Sequence, residues 1–202
     1  MTEPTYNPIE HAIRQQSDAL LNEALRTGAA VNAPASTGRG ASVLHFAASC
    51  ADADAIRRLV AAGADVHAVD DDGSTPLMRA IAASSHADPA VYERALDNAQ
   101  ALLDAGARIE QPTRRGVTPL HVVASQGNVA AIRWLVARGH GLNLYASDRG
   151  ADPRFMSPYQ MVLHKRDVLK RDNELRNPNI RPLADVLDLL EALGADTRGL
   201  DA

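Results

Sequence analysis

The sequence has little of what a disulfide-bonded, secreted or membrane protein needs. One cysteine among 202 residues excludes an intramolecular disulfide and fits a reducing compartment. Residues 1–10 carry neither a basic region nor an apolar run of the kind found in a secretory leader. No apolar run elsewhere approaches the roughly 18 residues of a membrane span. These absences predict a cytoplasmic protein that makes no membrane contact.

Excess charge of one sign and aromatic side chains are also scarce. The formal net charge is -4, and aromatic residues make up 3% of the chain. This balance gives no global positive field to attract phosphate backbones, so we expect no nucleic-acid partner. Of the 21 basic residues, 19 are arginine and 2 are lysine. Together with abundant alanine, that usage is typical of a GC-rich, bacterial genome.

What the chain does have is 46% hydrophobic residues, enough for a core, and an internal repeat. "GRGASVLHFAASCADADAIRRLVAAGADVHA" (38–68) and "TRRGVTPLHVVASQGNVAAIRWLVARGHGLNL" (113–144) align without a gap over their helical parts. Each has a turn, a Leu-His pair, small residues, and then I-R-x-L-V-A-x-G. Three more worn copies complete a set of five units, which start near Asn7, Ser42, Thr75, Thr118 and Ser157.

Each unit carries the local signals of two helices. In the fourth unit, Gly116 permits a tight turn, Thr118 is placed to cap a helix, and Pro119 suits the first helical position. A second helix with apolar residues at helical spacing follows and stops at Gly139. One such helix pair cannot bury its own apolar face, so neighbouring pairs must stack on each other.

The unit resembles the ankyrin repeat, as "DDDGSTPLMRA", "RRGVTPLHVVA" and "LVAAGADVHA" show. The resemblance covers roughly residues 7–197. It implies an all-α ankyrin-repeat solenoid of about five helix-turn-helix repeats with projecting β-turn fingers. We expect a stand-alone single domain over 7–197, between tails at 1–6 and 198–202. Glu10, Met78 and Gln160 replace the motif histidine seen at His45 and His121, so the turn hydrogen bonds of that histidine are not predicted there.

Two insertions interrupt the regular period. The first, 84–94, is predicted to lengthen the second helix of the third repeat, beginning at Asp88 and Pro89. The second, 165–181, is predicted to extend the first helix of the last repeat, and the next helix should begin at Pro182. Candidate core contacts in this insertion are Val168, Leu169 and Leu175.

Residues that could carry chemistry do not form a recognisable motif. Metal-binding and phosphate-loop motifs are absent from the sequence, so we predict no catalytic residue, no cofactor and no metal. A thiol-imidazole dyad of Cys50 and His45 is conceivable because they lie five residues apart on one predicted helix. The favoured interpretation makes His45 a turn residue and Cys50 a small packing residue. Four dispersed histidines are interpreted as surface or turn residues: His67, His86, His140 and His164.

The ankyrin resemblance implies that the concave face binds a protein partner. That face consists of the finger tips and the exposed positions of the first helices. An acidic third finger and a basic fourth finger would give this face one negative and one positive region. In the alternative interpretation, these charged side chains only keep the fingers hydrated and pair with each other. Fourteen positions are the candidate partner-binding residues: Asp71, Asp72, Ser74, Arg114, Arg115, Val117, Ser125, Gln126, Tyr145, Arg149, Arg154, Phe155, His164 and Lys165.

Three roles compete for a repeat protein of this kind. The leading one is non-enzymatic protein binding, and its sharper form is an immunity or inhibitor protein that occludes the active site of a toxin or enzyme. An effector or regulatory adaptor that bridges two proteins is the second, and the long helix after Lys165 could contact the second protein. The third is an enzyme that uses Cys50 or a histidine. We expect the chain to be a monomer by itself.

Overall fold

In the part of the chain that the structure describes, helices make up the regular structure, apart from one isolated antiparallel bridge between Pro34 and Ser42. The computed structural model describes residues 7–50, 52–84, 88–142, 156–171 and 180–197. Over these ranges the all-α prediction is confirmed. The helices are α1 (Pro8–Arg14), α2 (Asp18–Arg26), α3 (Val43–Cys50), α4 (Ala53–Ala61), α5 (Pro76–Ala83), α6 (Pro89–Asp104), α7 (Pro119–Ser125), α8 (Val129–Val136), α9 (Pro158–Arg171) and α10 (Ile180–Ala192).

Short polar side chains begin several of the helices, and a glycine follows the last turn of several, among them α4 and α8. Asp52 Oδ1 accepts a hydrogen bond from the Ala55 amide at 2.8 Å, and Asn128 Oδ1 accepts one from Ala131 at 2.9 Å. After α4, Gly63 adopts a left-handed φ of 93°, and the next amide reaches back to the Leu59 carbonyl at 2.9 Å. These local signals fix helices of two to four turns.

The chain divides into two compact units, Met1–Arg108 and Ile109–Ala202. In the first, α1, α3 and α5 pack in sequence, while α2, α4 and α6 pack against one another or against these helices. In the second, α7 packs on α8 and α9, and α10 packs on α8 and α9. A single domain over 7–197 stays a prediction, and the tails at 1–6 and 198–202 lie outside the described residues.

Each unit has its own apolar core. Fully buried in the first are Ile9, Leu44, Ile56, Leu59, Leu77, Ile81 and Leu102. Fully or almost fully buried in the second are Leu120, Ile132, Leu135, Leu183 and Leu190. Alanines such as Ala47, Ala80 and Ala124 are also buried, and their small size lets neighbouring helices approach closely.

The last insertion departs from its prediction in two respects. Helix α10 begins at Ile180 rather than Pro182. Val168, a predicted core contact, is 38% exposed on α9, because the solvent face of this long helix carries it. Leu169 is half-buried, and Leu175 lies outside the described residues.

Candidate protein-binding face

The third and fourth fingers are each held by one side chain at the base. In the third repeat, Asp70 Oδ1 accepts hydrogen bonds from the amides of Asp72 at 3.0 Å and Ser74 at 2.8 Å. In the fourth, Thr113 Oγ1 accepts from Arg115 at 3.3 Å and Val117 at 3.1 Å. A backbone bond closes each turn, from the Asp70 amide to the Ser74 carbonyl and from the Thr113 amide to the Val117 carbonyl. The tip residues are therefore presented on a fixed backbone.

The motif histidines tie each first helix to the following finger. His45 Nε2 donates to the Ser74 carbonyl at 2.9 Å, and His121 Nε2 donates to the Met156 carbonyl at 2.8 Å. A carbonyl only accepts, so Nε2 carries the proton and Nδ1 is left as an acceptor. Around His121, the Thr118 amide and hydroxyl both reach Nδ1, at 3.1 Å and 2.8 Å. These histidines are neutral parts of the scaffold, and burial lowers the pKa of His121 to about 4.

Two substitutes take over from the missing motif histidines. The fully buried Glu10 accepts from the Ser36 amide at 2.8 Å and contacts the Ser36 hydroxyl, so it also reaches the next finger. Although burial opposes its ionisation, the hydrogen bonds from Ser36 and Arg14 hold the pKa of Glu10 below its ordinary value. In the last repeat, Gln160 Oε1 accepts from the Ser157 amide at 3.0 Å. The turn bonds absent from the prediction are thus made by other residue types.

Two candidate residues of the first unit, Asp71 and Asp72, lie at the tip of the third finger. Asp71 is exposed, and its amide donates to the Arg39 carbonyl at 2.8 Å. Asp72 lies 3.6 Å from the Arg39 guanidinium. Ser74 is half-buried, and its carbonyl is the acceptor for His45. The finger predicted to be acidic is therefore partly neutralised by an arginine of the preceding finger.

In the second unit, Arg114 and Arg115 are exposed at the finger tip, and Val117 is half-buried at its base. Lys165 is close to another candidate residue: its Nζ donates to the Ser125 carbonyl, at the C-terminal end of α7, at 2.5 Å. The positive charge of Lys165 therefore interacts with the negative end of the α7 helix dipole. Gln126 and His164 are exposed. Four further candidates lie outside the described residues: Tyr145, Arg149, Arg154 and Phe155.

Sequence reasoning missed a cluster of basic residues on the first unit. The half-buried Phe46 follows the motif histidine on α3, and the Arg14 guanidinium lies 4.6 Å from its ring centroid. Arg79 occupies the corresponding position on α5, and Arg39 lies in the second finger, which precedes α3. The sequence held a signal for this cluster, because the position after the motif histidine varies between repeats. It is Phe46, Arg79 or Val122 in three of them.

Cys50 and His45 do not have the geometry of a reactive dyad. Both ring nitrogens of His45 are engaged, with Ser42 on one side and the Ser74 carbonyl on the other. The Cys50 thiol is half-buried and donates to the Phe46 carbonyl at 3.1 Å. Burial raises the pKa of this thiol, which opposes the thiolate that a nucleophile needs. That the chain is not an enzyme stays a prediction.

Of the two interpretations of His140 from the sequence, surface or turn, the surface one is wrong: the residue follows the turn after α8 and is buried. Its side chain is 2% exposed, at the position where the other four repeats carry Ala29, Ala64, Ala107 and Ala195. Nδ1 lies 2.8 Å from the Gly141 carbonyl, and no described group lies within hydrogen-bond distance of Nε2. Burial lowers the pKa of this imidazole although Glu110 nearby opposes the change. The helix-ending turn that holds it packs inward, so the ring is carried into the protein.

Metal-binding and membrane-spanning groups are both absent from the described ranges. They contain no group of three or more His, Cys, Asp or Glu side chains placed to hold a metal ion. They also contain no helix with the length and apolar character needed to cross a bilayer.

Comparison with known proteins agrees with the repeat geometry. Two family models described as "Ankyrin repeats (many copies)" match residues 25–80 and 87–136, together just over half of the chain. The chain is also similar to the E3 ubiquitin-protein ligase KEG of Arabidopsis thaliana, with 27% identity over 196 residues. That match covers 96% of this chain and 11% of the ligase. Ankyrin repeats indicate a protein-protein interaction module. The chain belongs to the ankyrin repeat family.

Proposed function

We propose that the chain binds a protein partner through its inner face and has no chemistry of its own. The inner face comprises the finger tips and the exposed positions of the first helices. The observation that carries this proposal is the fourth finger, where Arg114 and Arg115 are exposed on a turn fixed by backbone and Thr113 bonds. Within the described part of the chain, neither guanidinium has an ion-pair partner.

The mode of action we propose is occlusion. A surface that is ordered before binding loses little conformational entropy when a partner docks, so it suits a protein that covers another protein's functional surface. An immunity or inhibitor protein that blocks one toxin or enzyme is the specific form of this proposal. Only 11% of the ligase is matched, so its activity is not transferred to this chain.

The test starts with capture of a partner from the native host by the intact chain. Arg114→Glu with Arg115→Glu should then weaken the recovered complex by about tenfold or more, because two charge-assisted contacts become repulsive. Arg133→Glu is the matched control, since Arg133 is exposed on α8, the second helix of the same repeat. Equal affinities of the double variant and the unaltered chain would place the interface elsewhere.

An adaptor that bridges two proteins is the second candidate. It is favoured by the separate basic cluster of the first unit, which could serve a different partner from the one bound at Arg114 and Arg115. Light scattering on the purified complex separates the candidates. An inhibitor gives one partner per chain, whereas an adaptor gives a complex that contains both partners together.

The amino-acid composition supports the rest of the proposal, which concerns partners, compartment, oligomeric state and origin. The net charge of -4 supports the absence of a nucleic-acid partner, and the single half-buried cysteine supports a cytoplasmic, monomeric protein. The arginine-rich composition supports a bacterial origin. Cys50→Ala tests the enzyme alternative, because a loss of whatever activity the chain shows, with folding intact, would favour catalysis at that thiol.

A further inference from the structure

A groove of about 300 Å³ runs along the inner face of the first unit. We call it the Phe46 groove, and its walls come from the second finger and from helices α3 and α5. Its main lining residues are Thr37, Arg39, Ala41, Phe46, Ser49 and Arg79. His45 also borders the groove, but both of its nitrogens are already engaged in the scaffold. The groove is large enough for one or two side chains of a bound segment.

Buried carboxylates hold Arg79 at this groove and Arg14 next to the Phe46 ring that lines it. Arg79 Nη2 donates to Asp70 Oδ2 at 2.7 Å, and the Asp70 side chain is 0% exposed whereas that of Arg79 is 42% exposed. Arg14 Nη2 donates to Glu10 Oε1 at 2.7 Å, with 1% exposure for the carboxylate and 42% for the guanidinium. In each pair the negative group lies below the surface and the positive group faces outward. The arginines are therefore oriented before any partner arrives.

Arg39 adds a third guanidinium from the finger. Its side chain is 77% exposed, and its backbone has a φ of 55°, which is uncommon for a residue other than glycine. The glycines on both sides are also left-handed, so the finger turns tightly and projects this side chain. Its contact with Asp72, at 3.6 Å between two exposed groups, is a weak ion pair that a stronger acceptor can replace.

We infer that the Phe46 groove binds an acidic segment of a partner protein. A carboxylate would accept hydrogen bonds from Arg39 and Arg79, and an adjacent apolar side chain would pack on the Phe46 ring. This inference rests on the proposed function and names the chemistry of the partner at one part of the inner face. Charge complementarity supports it, because Arg79 in the groove and Arg14 beside the Phe46 ring are exposed cations whose balancing carboxylates, Asp70 and Glu10, are buried.

A nucleic acid fits the same groove less well. Asp71 and Asp72 lie on the finger next to Arg39, and Asp71 is joined to it through a backbone hydrogen bond. A continuous phosphate backbone is charged at every residue and would meet these carboxylates, whereas a peptide can place an acidic side chain at the guanidinium groups and an uncharged one beside the carboxylates. The observations therefore favour a peptide.

Fluorescence anisotropy with the full chain tests the inference. The probe is a labelled peptide of repeated Glu-Glu-Leu, the matched probe is Gln-Gln-Leu of equal length, and an oligothymidylate of equal charge serves as competitor. We expect the acidic peptide to bind about tenfold more tightly than the glutamine peptide, and the oligonucleotide to compete poorly. Arg39→Ala and Phe46→Leu should each weaken binding several-fold, and both changes preserve the buried ion pairs.

Arg57→Ala is the control variant, since Arg57 is exposed on α4, the second helix of the repeat that contains Phe46. Circular dichroism must show that all three variants are folded. Equal affinity for the two peptides, an equal loss in Arg57→Ala, or stronger binding of the oligonucleotide would overturn the inference. If a recovered partner depends on Arg114 and Arg115 but not on Arg39, the groove inference fails and the proposed function stands. If no partner depends on either site, both fail.

Discussion

Acid should destabilise the second unit through His121, and His121→Gln should remove that effect. In the folded state Nε2 donates to the Met156 carbonyl, and Nδ1 faces two donors of Thr118. A proton on Nδ1 would face the N–H of the Thr118 amide and would place a positive charge inside the protein. Glutamine keeps an amide acceptor without a titratable group, as Gln160 demonstrates at the corresponding position of the last repeat.

The magnitude follows from the two pKa values. Burial lowers the pKa of His121 from 6.5 to about 4, so between these values the unfolded chain binds the proton and the folded chain does not. Stability therefore falls as the pH drops below 6.5. At ~1.4 kcal/mol for each pKa unit, the full loss is ~3 kcal/mol, of which ~2 kcal/mol should be lost between pH 7 and about pH 5.

Tryptophan fluorescence during urea unfolding measures this loss, because Trp134 is the single tryptophan of the chain and lies in the same unit. The unaltered chain, His121→Gln and His164→Gln are compared at pH 7 and about pH 5, and His164 serves as the exposed control. Protonation of carboxylates affects all three proteins and cancels in the comparison. If His121→Gln loses as much stability on acidification as the other two proteins, the buried neutral imidazole is not the cause.

Further substitutions test the packing of each unit. Gly127→Ala should lower the free energy of unfolding of the second unit by ~2–4 kcal/mol, since a Cβ there would lie 2.7 Å from Pro182 Cβ in addition to the left-handed strain. Gly139→Ala, with equal handedness and open space, should cost only ~1 kcal/mol; equal costs would disprove the contact. His140→Ala, which restores the residue of the other repeats, should reduce the loss of stability on acidification, followed by the fluorescence of Trp134. Asp70→Ala should cost the first unit ~2–3 kcal/mol, measured by circular dichroism, because two finger amides lose their acceptor while the half-exposed Arg79 contributes less.

Local signals were enough to predict the helices, because capping and helix termination depend on residues a few positions apart. Thr118 and Pro119 predicted the start of α7, and Gly139 predicted the end of α8. The end of the last insertion was harder, because α10 begins at Ile180, two residues before Pro182, and a proline fixes the start of a helix only approximately. The burial of His140 was not predicted for a related reason: nothing local shows that the turn after α8 carries its side chain inward.

The cluster of basic residues on the first unit could not be predicted by dividing the sequence into scaffold positions and variable positions. Glu10 and Asp70 are scaffold residues, since each accepts hydrogen bonds from a finger amide. Each also holds an arginine at the surface, so one buried carboxylate both builds a finger and orients a cation. His45 occupies the position that Glu10 has in the first repeat, but it orients no arginine. Its neutral ring is hydrogen-bonded to Ser42 and to the Ser74 carbonyl. The residue chosen for the scaffold therefore decides which charge the first unit presents to a partner, and a substitution at Glu10 or Asp70 should change recognition as well as stability.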